Sequence, residues 1–242
     1  MNLSTILKAI LAFPQYAGIC IFYVGREGSG KTDLAQAVAS AYGTPEAVVP
    51  FSKILGAYLT TIQSTQPELV RQIRKKMAAR NKSIKHSVLC SAMRYGFQQI
   101  PENQCTVVNV EGFLRSEQQC RDALQLIGEF FPNHLLVCVE ATCASEIALP
   151  RALGRKQGND VQAFLEQCHI EYDAKHAAIF AACSEWAHML QVSNETTFDQ
   201  TLVGLEEAFA GLLSKLKLAH KPKTPAYILN WQATGISEFA AA

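Results

Sequence analysis

A glycine-rich segment near the N-terminus constrains the fold of this chain more than any other feature. Residues 25–32 read Gly-Arg-Glu-Gly-Ser-Gly-Lys-Thr and match the pattern G-x-x-x-x-G-K-[ST] at every position. An apolar run rich in β-branched residues, 19–24, comes directly before it, and a helical pattern that stops at Gly43 comes directly after. Strand, glycine-rich loop and helix in this order predict a P-loop that binds phosphate. The alternative is a glycine-rich turn that binds nothing.

The residue types in this loop suit the phosphates of ATP. Glycines let the main chain wrap around phosphate oxygens, while main-chain N–H groups and the helix N-terminus supply partial positive charge. Lys31 adds a full charge for the β- and γ-phosphates, and Thr32 offers a hydroxyl to Mg²⁺. We therefore predict ATP and Mg²⁺ as cofactors, with ATP held by Gly25, Glu27, Gly28, Ser29, Gly30, Lys31, Thr32 and Asp33.

Apolar runs alternate with helical patterns along most of the chain. Strands are predicted at 19–24, 47–51, 106–110, 134–140 and 188–192. This alternation predicts an α/β fold with three layers, α/β/α, around a five-stranded parallel sheet. The stretch between the second and third strands is too long for one crossover helix, so we expect a helical insertion that binds a substrate. Its predicted helices are 52–63, 67–81 and 83–100.

The two ends of the chain differ in character. Residues 1–16 begin with an amphipathic helix that we expect to dock on the main domain, 17–218; peripheral membrane attachment is the alternative. This helix is too short to span a bilayer, and no transmembrane segment is expected. The tail, 219–242, loses helical periodicity but keeps many apolar side chains. It is expected to dock on its own domain or on a partner, including a second copy of the chain.

Composition places the chain among ordinary globular proteins. Its 242 residues are 49% hydrophobic and 18% charged, with a net charge of +1. The basic cluster at 71–76 reads as a solvated helix face, so no nucleic-acid partner is expected. The eight cysteines contain no C-x-x-C pair, so neither a disulfide framework nor a zinc site is expected, and the predicted location is the cytoplasm. His169 and His176 flank Asp173 on one helix, where ion pairing is favoured over a metal.

Later landmarks give the P-loop a more specific context. Residues 110–119 read Val-Glu-Gly-Phe-Leu-Arg-Ser-Glu-Gln-Gln, and residues 151–155 read Arg-Ala-Leu-Gly-Arg. These segments are similar to the L-D-G-F-P-R-T-x-x-Q and R-x-x-G-R motifs of one kinase family. An Asn159-Asp160 pair and Tyr172 follow where that family has an Asp-Asp pair and a tyrosine. Over about residues 17–217, the chain thus resembles the adenylate kinase family of nucleoside monophosphate kinases.

The resemblance implies ATP-dependent phosphoryl transfer to a nucleoside monophosphate, with AMP as the default acceptor. It assigns 52–100 to acceptor binding and 155–160 to a short lid. Because the migrating phosphoryl group carries spread negative charge, positioned cations do most of the chemistry. The implied catalytic residues are Lys31, Arg115, Arg151 and Arg155. The implied acceptor-binding residues are Ser52, Ile84, Arg115 and Gln119, and Thr32 and Glu111 would hold Mg²⁺, in part through water.

The implied arginines also have structural interpretations. Arg115 could simply pair with Glu117 or Glu111. Arg151 and Arg155 are four residues apart on a predicted helix and could form a solvated face.

Two polar residues have alternatives of the same kind. Gln119 lies three residues after Ser116, which is the spacing of a capping box at a helix start. Glu111 could serve only to neutralise Arg115 or Lys31.

Several positions depart from the family pattern. They are Lys53, the only charged residue of 52–58, together with Glu111, Leu114, Pro150, Gln157 and Cys168. Gln157 and Cys168 stand where the family has arginines that contact the moving phosphates, so positive charge around the acceptor and the lid is thinned. Two other functions therefore stay open. One is a catalytically weak nucleotide-binding module with a regulatory or assembly role, and the other is a P-loop kinase for another small metabolite.

Overall fold

The protein is described by a computed structural model. It describes residues 1–44, 48–78, 84–101, 106–154 and 161–219. The strands are β1 Gly18–Val24, β2 Val48–Pro50, β3 Val107–Glu111, β4 His134–Thr142 and β5 His188–Ser193. The helices are α1 Leu3–Leu11, α2 Lys31–Tyr42, α3 Phe51–Thr61, α4 Pro67–Ala78, α5 His86–Gln98, α6 Glu117–Phe130, α7 Ser145–Leu153, α8 Val161–Ser184 and α9 Phe198–Ala219.

The five described strands form one parallel sheet in the order β2-β3-β1-β4-β5. β1 lies at the centre, and all of its residues are buried. A strand covered by helices on both faces has no solvent side, which explains why 19–24 is a continuous apolar run rather than an alternating one. The arrangement confirms the predicted three-layer α/β/α fold.

Two layers of helices cover the sheet. α1, α2 and α9 pack on one face around Ile21 and Phe209, whereas α3, α5, α6 and α8 pack on the other around Phe22 and Met93. Neighbouring residues of β1 thus point into different cores, as the pleat of a strand requires. The P-loop leaves the sheet at the end of this central strand.

α1 is part of the core. Asn2 caps the helix by accepting a hydrogen bond from the main-chain N–H of Thr5 at 3.0 Å. Ile6, Leu7 and Ile10 are completely buried, where α1 packs on α9 and α2. Among the described helices, none combines the length and apolar character that a bilayer crossing needs.

The structure corrects the predicted bounds of β2 and of the insertion. The predicted strand 47–51 extends one residue too far at its C-terminal end, because Pro50 lacks a main-chain donor and ends the strand, and Phe51 already begins α3. The insertion helices α3 and α5 are shorter than their predicted counterparts, 52–63 and 83–100, and α4 begins at the predicted residue, Pro67. Residues 79–83, the predicted lid at 155–160 and the tail from 220 onwards lie outside the described residues.

Candidate active site

The P-loop closes tightly between β1 and α2. Gly25, Gly28 and Gly30 have φ values of 147°, 83° and 85°, which residues with a Cβ rarely adopt. A Cβ at Gly28 would lie 2.0 Å from the main-chain oxygen of Ala148, and one at Gly25 would lie 2.6 Å from that of Ala141. Backbone conformation and space therefore both require glycine where the loop presses against α7 and the end of β4.

Lys31 reaches back across the loop from the first residue of α2. Its Nζ donates hydrogen bonds to the carbonyl oxygens of Gly25 at 2.9 Å and Arg26 at 2.6 Å. The ammonium is thus fixed beside the main chain that would hold phosphate. Thr32 is exposed and Asp33 is partly exposed in the first turn of α2. The hydroxyl of Thr32 is accessible to a cation.

Asn194, which the sequence did not single out, anchors the P-loop from the segment directly after β5. Its Nδ2 donates to the carbonyl oxygen of Ser29 at 2.9 Å, and its Oδ1 accepts from the hydroxyl of Thr201 at 2.9 Å. The side chain is buried, and a Cβ at Gly30 would lie 2.0 Å from its Nδ2. Its position directly after β5 is a signal that could have found it, because ligands of parallel sheets bind at the carboxyl ends of the strands.

His169 on α8 holds the loop from a third direction. Its Nε2 lies 2.9 Å from the carbonyl oxygen of Glu27, and its Nδ1 lies 2.8 Å from the hydroxyl of Ser145. A carbonyl oxygen can only accept, so Nε2 carries the proton, and in the neutral ring Nδ1 accepts from Ser145. The ring is 3% exposed. One buried histidine therefore ties α8 and the start of α7 to the P-loop.

Two further residues of α8 also contact the end of the sheet. Asp173 pairs with Arg26 of the P-loop at 2.7 Å, and Arg26 in turn donates to the carbonyl oxygen of Cys143 at 2.8 Å. His176 pairs with Glu140, a buried carboxylate of β4. The prediction that the histidines and Asp173 pair among themselves is therefore wrong, because each of these side chains reaches a partner in the P-loop or in β4 instead.

Tyr172 lies beside this network. Burial and the neighbouring carboxylate of Glu140 raise the pKa of Tyr172 far above its usual range, so the phenol stays neutral. Its hydroxyl is buried and has no hydrogen-bond partner among the described residues.

Arg115 lies next to the P-loop. Its Nη2 is 3.4 Å from the carboxylate of Glu27, and its Nε donates to the carbonyl oxygen of Gly112 at 3.1 Å. Glu117, one of the partners that the sequence suggested, pairs instead with Arg121. The side chain of Arg115 is 53% exposed. The guanidinium thus lies within reach of an anion held by the loop.

Glu111 ends β3 beside the central strand and is in register with Tyr23. The hydroxyl of Tyr23 donates to Oδ1 of Asn109 at 2.8 Å, so both side chains lie on the sheet face that α2 covers. Strand alternation places Glu111 on that face as well. A carboxylate at this end of the sheet, on the side of Thr32, suits the predicted role of a Mg²⁺ partner through water.

The first turn of α3 lies against the loop that carries Arg115. The rings of Phe51 and Phe113 meet edge to face with centroids 5.1 Å apart. Ser52, the next residue, is exposed at this junction. Ile84 is partly buried against the core of the insertion. The structure therefore brings the turn that contains Ser52 close to Arg115.

Gln119 forms one half of the capping box that the sequence offered as an alternative, while its side chain reaches the main-chain N–H of the residue before the N-cap, Arg115, rather than that of Ser116. Its Oε1 accepts from the main-chain N–H of Arg115 at 3.0 Å and from the hydroxyl of Ser116 at 3.3 Å. The hydroxyl of Ser116 in turn accepts from the main-chain N–H of Gln119 at 3.3 Å. The side-chain oxygen of Gln119 thus already accepts two hydrogen bonds at the start of α6, and one of them fixes the backbone of Arg115.

Arg151 is not part of a solvated helix face, so that alternative is wrong. Its Nη1 donates to the main-chain oxygen of Asn194 at 2.7 Å and lies 3.7 Å from Sγ of Cys143. The guanidinium therefore joins α7 to the segment after β5. Pro150 lies inside α7, which is nine residues long. Arg155, the other predicted arginine of this pair, lies outside the described residues.

Comparisons with known proteins give a fold but no family. Neither a protein-family model nor a curated protein matches the sequence. Among solved structures, the chain is similar to a gluconokinase from Sinorhizobium meliloti 1021, with a TM-score of 0.53 and 15% identity over 85% of this chain and 99% of that one. A likeness at this identity concerns the fold alone. The chain shares the three-layer α/β fold of that kinase, while membership of the adenylate kinase family stays a prediction.

Proposed function

We propose that the protein transfers the γ-phosphoryl group of ATP to a small acceptor, with a nucleoside monophosphate, AMP first, as the acceptor class. The observation that carries this proposal is the P-loop itself. Three of its glycines adopt conformations that glycine favours, and the ammonium of Lys31, at the start of α2, bonds to the main chain of the loop at Gly25 and Arg26. Such a loop serves to bind the phosphates of a nucleotide.

Each part of the site has a role in this reaction. The loop and Lys31 would hold the β- and γ-phosphates, and Arg115 would share the charge of the migrating group. Thr32 and Glu111 would hold Mg²⁺, which supplies positive charge that offsets repulsion between phosphates. Asn194 and His169 act as positioning residues because they bind main-chain oxygens of the loop.

A second acceptor class has support from one further observation. Cys168, which stands where the adenylate kinase family has an arginine, is buried in α8 and contributes no charge. An acceptor without a phosphate needs fewer guanidinium groups, and the structural neighbour is named a gluconokinase. A sugar acid or a similar small metabolite is therefore the alternative acceptor. The weak nucleotide-binding module, with assembly through the tail, is the alternative without significant turnover.

Turnover of the purified full-length chain with ATP and Mg²⁺ tests the proposal. ADP release is followed by a coupled assay with AMP, CMP, UMP, GMP or gluconate, and without acceptor as the baseline. We expect turnover with a nucleoside monophosphate. Turnover with gluconate and with none of the nucleoside monophosphates would show that the acceptor is a sugar acid. ATP binding without turnover on any acceptor would contradict the enzyme assignment.

Lys31→Met provides the matched negative control. Removing one positioned group that stabilises the negative charge of the transition state lowers turnover by about a hundredfold to a thousandfold. Here the substitution also removes the cation that would lie nearest to the phosphates. Lys8→Met on the exposed side of α1 changes the same residue type away from the site and should leave turnover unchanged. Equal activity of both variants would show that the loop is not the site of ATP.

A further inference from the structure

Three side chains that the proposed reaction does not use converge between α5 and α6. They are His86 and Cys90 on α5 and Asp122 on α6. Their potential ligand atoms, a histidine nitrogen, a thiol sulfur and a carboxylate oxygen, all lie within 4.8 Å of one another. Ligand atoms of one tetrahedral zinc ion, each about 2.0–2.3 Å from it, are roughly 3.3–3.8 Å apart. The cluster is therefore compact enough for small side-chain movements to bring all three atoms onto one ion.

The helices explain why these atoms meet. His86 and Cys90 are four residues apart, so they lie on the same face of α5, one turn from each other. Asp122 faces them from the neighbouring helix, with its Oδ2 3.0 Å from Sγ of Cys90. Nε2 of His86 contacts the same oxygen. Both residues of α5 are thus directed at one carboxylate oxygen of α6.

The ring of His86 directs Nε2 at this shared carboxylate. Nε2 is buried and has no partner that meets hydrogen-bond geometry among the described residues, while it lies in ion-pair contact with Oδ2 of Asp122. A neutral ring nitrogen that faces a carboxylate oxygen and a thiol can ligate the same metal ion as they do.

A fourth side chain orients the carboxylate. Nε2 of Gln118 donates to Oδ1 of Asp122 at 3.1 Å, one turn earlier on α6. Outer partners of this kind fix the direction in which a ligand presents its other oxygen. Oδ2 is thereby left to face His86 and Cys90. The side chains of Asp122 and His86 are 18% and 38% exposed, so water can reach the cluster.

We propose that His86, Cys90 and Asp122 bind one divalent transition-metal ion, Zn²⁺, with water in the fourth position. Nitrogen, sulfur and oxygen ligands together suit zinc, which is four-coordinate and accepts all three. Mg²⁺ prefers oxygen ligands alone, so it is a poor fit. The sequence argued against zinc because no two cysteines are closely spaced, whereas this site needs a single cysteine.

The position of the site gives the ion a structural role. α5 belongs to the insertion, and α6 begins directly after the loop that carries Arg115. An ion shared by both helices would join the insertion to the core next to the candidate active site. This inference does not depend on the proposed kinase function, because the cluster is separate from the P-loop.

A catalytic role for the cysteine without a metal is a poorer interpretation. Burial and the adjacent Asp122 raise the pKa of the Cys90 thiol to about 12. In the metal-free protein the thiol therefore stays protonated at neutral pH and is not a ready nucleophile.

Cobalt substitution tests the site without any assay of activity. The full-length chain, stripped of metal by a chelator under reducing conditions, is titrated with Co²⁺ and then with Zn²⁺. We expect one equivalent of Co²⁺ to give visible bands of a four-coordinate ion and a near-ultraviolet charge-transfer band from a thiolate. Zn²⁺ should abolish both. An absent thiolate band, or binding of several equivalents without saturation, would overturn the proposal.

Two alanine variants on helices assign the thiolate. Cys90→Ala should lose the charge-transfer band, whereas Cys168→Ala, which removes a cysteine of α8 outside the cluster, should keep it. A band that survives Cys90→Ala and disappears in Cys168→Ala would place the metal elsewhere and overturn the proposal. Far-ultraviolet circular dichroism of both metal-free variants checks that each one is folded.

Gln118→Ala separates a real site from a chance contact, because it leaves all three ligands in place. Loss of an outer partner lowers metal affinity by about 10- to 100-fold. We expect a loss of that size in competition with a chromophoric chelator. Asp122→Asn, which replaces a ligand and retains the shape of the side chain, should weaken binding more. Unchanged zinc affinity in both variants would exclude Asp122 as a ligand.

Discussion

Gly28 and Gly43 adopt almost the same left-handed backbone conformation for different reasons. Their φ values are 83° and 86°. Gly43 ends α2, and a Cβ there would meet nothing within 4 Å, whereas a Cβ at Gly28 would lie 2.0 Å from the main-chain oxygen of Ala148. Glycine is therefore favoured at position 43 only by the backbone conformation. At position 28 it is required in addition by the close approach of α7 to the P-loop.

This pair of glycines gives a prediction at the scale of single residues. Gly43→Ala should lower the free energy of unfolding by about 1–2 kcal/mol, which is the steric penalty of a left-handed alanine. Gly28→Ala should lower it by about 1–3 kcal/mol more, since overpacking adds to that penalty. Urea unfolding of the two variants in parallel measures the difference. Equal losses would mean that α7 can move away from the loop without penalty.

At the scale of elements, α8 organises the site. His169, Asp173 and His176 recur at the spacing of one helix face. Each contacts a different part of the P-loop and the sheet edge beside it: the carbonyl oxygen of Glu27, the guanidinium of Arg26 and the carboxylate of Glu140. Because all three contacts are long-range, a shift of α8 would disturb the P-loop from two sides.

The contact of His169 with Ser145 can be measured by a double-mutant cycle. We expect His169→Ala and Ser145→Ala to be coupled by about 1 kcal/mol in the free energy of unfolding, the usual net contribution of one hydrogen bond. The exposed His188 of β5 supplies the control, because His188→Ala and Ser145→Ala should be additive. Denaturant unfolding of the single and double variants yields both coupling energies. A coupling energy near zero for His169 and Ser145 would show that their hydrogen bond does not stabilise the fold.

The sequence was sufficient for local structure but not for the partners of polar side chains. The loop at 25–32, its flanking strand and helix, and the order of alternating elements follow from patterns within a few residues. The contacts of α8 could not be predicted in this way. Three polar residues on one helix face can pair with one another or with a neighbouring segment, and the sequence does not distinguish the two arrangements. Asn194 shows the same limit. Its place after a predicted strand marks it as a candidate, but its hydrogen bond to Ser29 of the P-loop is known only from the structure.

At the scale of the whole molecule, the proposed reaction predicts how ligands stabilise the fold. A ligand at 100 times its dissociation constant adds about 2.7 kcal/mol to the free energy of unfolding. A dinucleotide with two adenosines bridged by a polyphosphate would fill the donor and acceptor sites together. We expect it to raise the melting temperature more than ATP does at equal concentration. For a sugar-acid kinase, the dinucleotide should raise it no more than ATP does.

Thermal unfolding of Lys31→Met with the same ligands is the control for this comparison. Without the ammonium, ATP and the dinucleotide should both lose most of their effect on the melting temperature. A dinucleotide that still stabilises Lys31→Met as strongly as the unchanged chain would have to bind away from the P-loop.

The strand order has a consequence for how the chain emerges from the ribosome. β1 precedes both of its neighbours in the sheet: β3 follows only after the helical insertion, and β4 only after α6. One edge of the strand that leads into the P-loop therefore stays unpaired until β3 has been synthesised, and the other edge until β4 has been synthesised. Long-range pairing of this kind slows folding and leaves apolar segments open to aggregation. Translation speed and chaperone supply during this interval should thus govern the yield of native protein more than the stability of the finished sheet.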